Sequence, residues 1–308
     1  MDTLLVSHPS CLEHEVPPGH PECPDRLRAV LGALEAEEFA LLARVDAPRA
    51  EIEQLERVHA RAHIDTILLS APETGFRRLD ADTALSPGSA EAALRAAGAV
   101  VYAVDEVMAG RARNAFCAIR PPGHHAEPDQ AMGFCLFNNV AVGAMQARHV
   151  HGLSRIAVVD FDVHHGNGTQ ALFETDPGFL YISTHQWPLY PGTGRASERG
   201  LDNIVNVTLP PGSDGVAFRA SVEGIVLPAL ERFQPEFIFI SAGFDGHRDD
   251  PLANLKLVEA DFGWVTGELV KLADRHAQGR IVSTLEGGYD LTALAASARA
   301  HVRALMLD

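Results

Sequence analysis

The stretch DFDVHHGNG, Asp160 to Gly168, closes an apolar run with two carboxylates and two adjacent histidines. A second histidine pair, His124-His125, follows the proline turn RPPG, and Asp245 follows the apolar run FIFISAGF. In an extended chain alternate side chains share a face, so Asp160, Asp162 and His164 point one way and Val163 and His165 the other, provided the extended geometry continues to 164. Asp162 and His164 then reach one cation together. Asp245 is a third hard donor, because a carboxylate so close to an apolar strand is costly to desolvate unless it is paired or metal-bound. Two carboxylates and one imidazole make an open three-donor set, with room left for water and a substrate oxygen, as catalytic Zn2+ requires.

The pair at 124 and 125 suits a different task. An imidazole beside such a cation takes a proton from water and returns one to a leaving amine, while its neighbour assists electrostatically. In EGGYD, Gly287 and Gly288 allow a close backbone approach that aims the Tyr289 phenol into the site, where its O–H would stabilise an oxyanion.

These residues need elements to bring them together. Short apolar runs recur at 3–8, 115–121, 155–162, 179–184, 203–209, 237–243 and 280–288, most of them continuous, as strands buried on both faces are. Helical segments are expected at 89–109, with Ser89 as N-cap and Gly110 as stop, and at 137–151, 215–233, 257–277 and 291–306. Strand alternating with helix predicts an α/β fold, a parallel sheet covered on both faces, and no linker or repeat divides the single domain expected over 1–308. Ligands in such sheets bind beyond the carboxyl ends of the strands. The loops RPPGHHAEPD, DFDVHHGNG, SAGFDGHRDDP and EGGYD should therefore converge.

With 308 residues and 46% hydrophobic composition, the chain has enough material for a large core. A net charge of -16 argues against nucleic acid as a partner, since that role needs clustered Lys and Arg. Cys11, Cys23, Cys117 and Cys135 show no CxxC spacing and read as reduced thiols in a cytoplasmic protein. The N-terminus has no basic signal region, and the apolar stretch AAGAVVYAVDEVMA is interrupted by Asp105 and Glu106, so neither export nor membrane insertion is expected.

Other chemistries fit less well. GNGTQA at 166–171 matches GxGxxA, but no acidic residue follows about twenty positions on to hold a ribose. GxSxG does not occur, and Cys135 reads as a buried thiol rather than a nucleophile. A two-metal ureohydrolase of the arginase type needs further carboxylates where this chain has Gly166 and His247.

Taken in order, GHPECPDRL at 19–27, RPPGHHA, MGFCLFNN, VVDFDVHHGNGTQ, YPGTG, SAGFD and EGGY resemble the histone deacetylase family, especially its class II-like bacterial amidohydrolases and acetylpolyamine amidohydrolases. The resemblance covers most of the chain. It implies an arginase/deacetylase fold with about eight mostly parallel strands and Zn2+ held by Asp162, His164 and Asp245. It also implies His125 as general base and then acid, His124 as its electrostatic partner, and Tyr289 as donor to the substrate carbonyl. Asp160 would support the first histidine and help hold a structural K+ with backbone carbonyls of Asp162, His164, Ser183 and Thr184.

Asn167 stands where class I relatives carry an acidic partner for the second histidine, and a neutral partner stabilises imidazolium less. Gly133, Phe134 and Tyr190 match the acyl-lysine channel. Leu252 occupies the position where a polyamine-selective branch has a glutamate, which weakens that mode of polyamine recognition. The expected activity is removal of an acetyl or similar short acyl group from a primary amine. N-acetyl-lysine-like substrates, free or in a peptide, come first and acetylpolyamines second, in a monomer or a homo-oligomer. A catalytically silent acyl-amine binding protein would have no use for His124, His125 and Tyr289.

Overall fold

A computed structural model describes residues 2–307. Its strands are β1 (Thr3–Ser7), β2 (Ala43–Asp46), β3 (Arg77–Arg78), β4 (Ala84–Leu85), β5 (Asn114–Cys117), β6 (Ile156–Asp160), β7 (Phe179–Gln186), β8 (Ile204–Leu209), β9 (Phe237–Ala242) and β10 (Ile281–Leu285). Eight of them form one parallel sheet in the order β2-β1-β5-β10-β9-β6-β7-β8, while β3 and β4 pair as a small antiparallel hairpin. The sequences IAVVD, FIFISA and IVSTL are buried along their whole length, which explains why these central strands read as continuous apolar runs.

The helices are α1 (Pro24–Ala33), α2 (Ile52–Glu56), α3 (Arg61–Leu69), α4 (Ser89–Met108), α5 (Asn139–His149), α6 (Asn167–Phe173), α7 (Gly215–Ser221), α8 (Leu227–Phe233), α9 (Glu259–His276) and α10 (Leu291–Met306). α4 and α5 pack together and against the sheet, while α9, α10 and α1 form a second packed group. This single domain is an α/β sandwich with the sheet in its middle.

Several details differ from expectation. The N-cap of α4 is Gly88 rather than Ser89, whose hydroxyl instead bonds His14 Nδ1 at 2.7 Å. The segment 215–233 is two helices joined by a π turn at Val222–Val226, with Pro228 near the start of the second. The extended geometry ends at Asp160 rather than reaching 164. Asp160 Oδ1 accepts the Asp162 N–H at 3.1 Å and Asp162 Oδ1 accepts the His164 N–H at 2.9 Å, so each carboxylate turns its own backbone and competes with the ladder.

The order β5-β10-β9-β6 makes four neighbouring strands out of segments far apart in sequence. Their carboxyl ends launch the loops carrying His124-His125, Tyr289, Asp245 and Asp162-His164, in that order.

Candidate active site

Asp162, His164 and Asp245 meet above β6 and β9. His164 Nδ1 lies 3.2 Å from Asp162 Oδ1 and 3.0 Å from Asp245 Oδ2, and one donor atom from each residue falls within a 4.8 Å cluster. Both carboxylates are buried. Two glycines make room for them: a Cβ on Gly243 would collide with the Asp162 carboxylate, and one on Gly287 with those of both Asp162 and Asp245. The Gly287 N–H also donates to Asp162 Oδ2 at 2.8 Å, and the Val163 N–H to Asp245 Oδ1 at 2.8 Å.

Burial, followed by repulsion from Asp162, pushes the Asp245 carboxyl up to about 7. Burial also opposes ionisation of Asp162 and His164, but here the partners win. His124 and His164 hold Asp162 well below the usual carboxylate range, and Asp162 and Asp245 lift His164 to about 10. Two carboxylates and an imidazole so arranged in a dry site are a donor set that fits a zinc-class divalent cation. Among the described residues no other group of three such donors is placed to hold a metal.

The two histidines of the 124–125 pair have different environments. His124 Nδ1 lies 2.9 Å from Asp160 Oδ2, which also accepts the Tyr181 hydroxyl at 2.9 Å, and its Nε2 lies 3.8 Å from Asp162 Oδ2. Burial opposes its charge, yet Asp160 and Asp162 raise its pKa well above the ordinary histidine value. His125 Nδ1 meets Asn167 Oδ1 at 2.8 Å. The Asn167 amide donates from its Nδ2 to Glu127 Oε1 at 2.7 Å, which fixes its oxygen as the acceptor facing His125. His125 therefore carries its proton on Nδ1 and leaves Nε2 as a free base. Burial first, then His124 and His164, hold its pKa well below the ordinary value.

His165 is turned to a separate network, with Nδ1 2.8 Å from Thr193 Oγ1 and Nε2 2.8 Å from Gln170 Oε1, its ring 4.9 Å from that of His185. Ser183 Oγ pairs with His185 Nδ1, and Thr184 Oγ1 reaches back to the Asp160 carbonyl at 3.5 Å.

A cavity of about 230 Å3 opens over the site, lined by His125, His164 and Tyr289 together with Gly133, Phe134, Tyr190 and Leu252. All the residues expected in the channel are in it. Gly133 has φ +55, and a Cβ there would strike the His125 ring; Phe134 follows at φ +70, where a side-chain-bearing residue is strained. Hydrogen bonds from the Gly133 N–H to Asp82 Oδ1 and from the Phe134 N–H to Thr83 Oγ1 hold this turn. The Tyr190 ring stands 5.3 Å from His125, and the Phe134 ring 5.8 Å from Tyr289.

Sequence reasoning missed the groups that hold this assembly in place. Glu286, buried at the end of β10, accepts the N–H groups of Gly123 and His124 at 2.7 and 3.1 Å, tying the histidine pair to the tyrosine loop. Burial raises its carboxyl to about 7. Glu22 bridges the buried guanidinium groups of Arg26 and Arg120. Both lie in quoted motifs, EGGY and GHPECPDRL; the signal available for Glu286 was a carboxylate ending an apolar strand.

The fold is that of the arginase/deacetylase class, as the match to the crystal structure of the HDA15 HD domain shows: TM-score 0.92 at 35% identity, covering 99% of this chain and 91% of that one. The histone deacetylase domain model matches residues 20–305, and the chain belongs to the histone deacetylase family. Among relatives, the histone deacetylase-like amidohydrolase of Pseudomonas aeruginosa is 43% identical over 88% of this chain and 73% of its own. Histone deacetylase 14, chloroplastic, of Arabidopsis thaliana is 38% identical over 98% of this chain and 76% of its own.

Proposed function

We propose that the protein is a zinc-dependent amidohydrolase that removes an acetyl or another short acyl group from a primary amine, N-acyl-lysine first and acylpolyamines second. The observation that carries this is the free Nε2 of a neutral, buried His125 in the same small cavity as His164, whose ring belongs to the donor set completed by Asp162 and Asp245. A binding protein has no need of such a base.

Asp162, His164 and Asp245 would hold the ion. When bound, a zinc-class cation supplies Lewis acidity that polarises an amide carbonyl and acidifies water. His125 Nε2 accepts the proton of the attacking water, and the same nitrogen delivers it to the amine as the C–N bond breaks. His124, charged beside Asp160, stays protonated and stabilises negative charge developing on the acyl oxygen. Tyr289 donates its phenol hydrogen to that oxygen; burial first, then Asp245, keeps the phenol well above its ordinary pKa and so protonated. The products are a carboxylic acid and a free amine.

The walls of Phe134, Tyr190 and Leu252 suit the aliphatic stem of a lysine or diamine. Leu252 offers no charge to a distant ammonium, which weakens that one mode of polyamine recognition, while Asp82 is the carboxylate that also lines the cavity. The same reading places a structural K+ among the Asp160 carboxylate and the carbonyls of Asp162, His164, Ser183 and Thr184; in its support, Asp160 and Ser183 are register partners on neighbouring strands. The substrate is a small acylated amine or an acyl-lysine peptide, handled in the cytoplasm, and no described helix is long and apolar enough to cross a membrane.

The test compares turnover of acetyl-lysine peptides, free acetyl-lysine and acetylated putrescine or spermidine, each with and without a chelator. Chelator-sensitive release of acetate, fastest from acetyl-lysine, is expected. Turnover indifferent to chelation, or hydrolysis of none of these amides, overturns the proposal.

A further inference from the structure

Tyr289 sits on the short loop between β10 and α10. On one side, the Arg26 guanidinium donates to the Gly288 and Glu286 carbonyls and lies over the Tyr289 ring at 4.9 Å from its centre. On the other, the Tyr289 N–H donates to Asp250 Oδ2 at 2.7 Å. The second oxygen of the same carboxylate, Oδ1, accepts the Leu252 N–H at 2.9 Å. Asp250 is itself buried, at 7% exposure, and its own N–H donates to the His247 carbonyl at 3.0 Å.

A carboxylate is the side chain this junction calls for. It offers two acceptor oxygens and no donor, so it satisfies two backbone N–H groups from segments 37 positions apart, Leu252 and Tyr289, in one planar group. Both residues line the catalytic cavity. The hydrophobic wall and the phenol are thereby joined through a single buried side chain.

We infer that Asp250 is a positioning residue: it fixes the Tyr289 phenol relative to the Leu252 wall, so that the oxyanion donor and the surface that seats the substrate stem move as one piece. The inference rests on the role proposed above for Tyr289. A displaced phenol forfeits hydrogen-bond geometry that is useful only in the transition state, so the loss falls on kcat rather than on KM.

The test is a double-mutant cycle on the metal-loaded enzyme. Tyr289→Phe should lower kcat by about 100- to 1,000-fold. Asp250→Ala should lower it by at least about 10-fold and by no more than Tyr289→Phe, with metal content unchanged. In a Tyr289→Phe background, Asp250→Ala should change kcat by less than about twofold, since a residue acting through the phenol has nothing left to lose. Asp250→Asn serves if the alanine variant folds poorly: whichever way its amide turns, one of the two N–H groups meets an NH2 instead of an acceptor. Hydrogen exchange on Asp250→Asn should show the segments around 252 and 289 losing protection together, a readout that needs no turnover. Additive losses in the cycle, metal loss matching the loss of rate, or protection lost at neither or only one segment would overturn the inference. A wild-type enzyme that hydrolyses no acylamine overturns the function proposed above instead, and the exchange result still decides whether Asp250 is the joint.

Discussion

At the scale of single residues, Asp160 and Asp162 lift His124 while burial, His124 and His164 hold His125 down, and the two rings also differ in what each meets at Nδ1. One faces a carboxylate and the other the oxygen of an amide whose own N–H groups are committed elsewhere. Replacing His125 by alanine removes the base without touching a donor to the ion. Metal content should stay near one per chain by mass spectrometry while turnover collapses by about 100- to 10,000-fold; parallel loss of both would mean that His125 is a ligand. Asn167→Asp places a carboxylate on the same Nδ1 and should raise the pKa of His125, moving the acidic limb of the kcat/KM profile up by about 1 to 3 units. An unchanged profile would show that this partner does not tune the base.

At the scale of elements, the candidate site residues were legible because each stands just beyond the end of an apolar run, and buried parallel strands advertise themselves as such runs. The positioning residues were harder to see. Asp250 and Glu286 act through backbone N–H groups of loops whose shape no periodicity encodes. Edge strand β2, with the exposed sequence ARVD, carries no burial signal, and helices α1 to α3 are too short to show a clear apolar period. Extending the strand to 164 failed because Asp160 and Asp162 bend the chain with their own carboxylates. The glycines of the strand-end loops belong to this scale too. Gly287→Ala drives a methyl group into Asp245 and Asp162, so metal content and turnover should fall together, unlike the split expected for His125→Ala. Full metal occupancy in that variant would show that the loop yields.

At the scale of the whole molecule, buried neutral histidines couple stability to pH. His301 is enclosed by Phe116, Phe161 and Phe244, with Thr266 and Ser283 hydroxyls on its two nitrogens, and burial holds its pKa down to about 3. Below about pH 6.5 the unfolded chain protonates this imidazole while the folded chain does not until about pH 3. The unfolded state then binds more protons, and stability falls with pH by about 1.4 kcal/mol per unit through that window. Glu286, raised to about 7, works in the opposite sense between its unfolded and folded values, so the diagnostic quantity is a difference between chains. The slope of urea-unfolding free energy from pH 6 to pH 4.5 should be smaller in His301→Gln than in the parent by about that amount. Equal slopes would mean that His301 titrates normally in the fold.

The sheet order also makes one strand the keystone. β10, the last strand in chain order among the described residues, occupies the middle of the sheet, between β5 and β9. Without it, β2-β1-β5 and β9-β6-β7-β8 would share no ladder. The three candidate metal donors follow strands of the second half, the histidine pair follows β5 of the first, and the tyrosine follows the strand that joins them. One strand, inserted between two edges, is thus the only ladder that brings the candidate ion-binding group and the histidine pair into a single sheet.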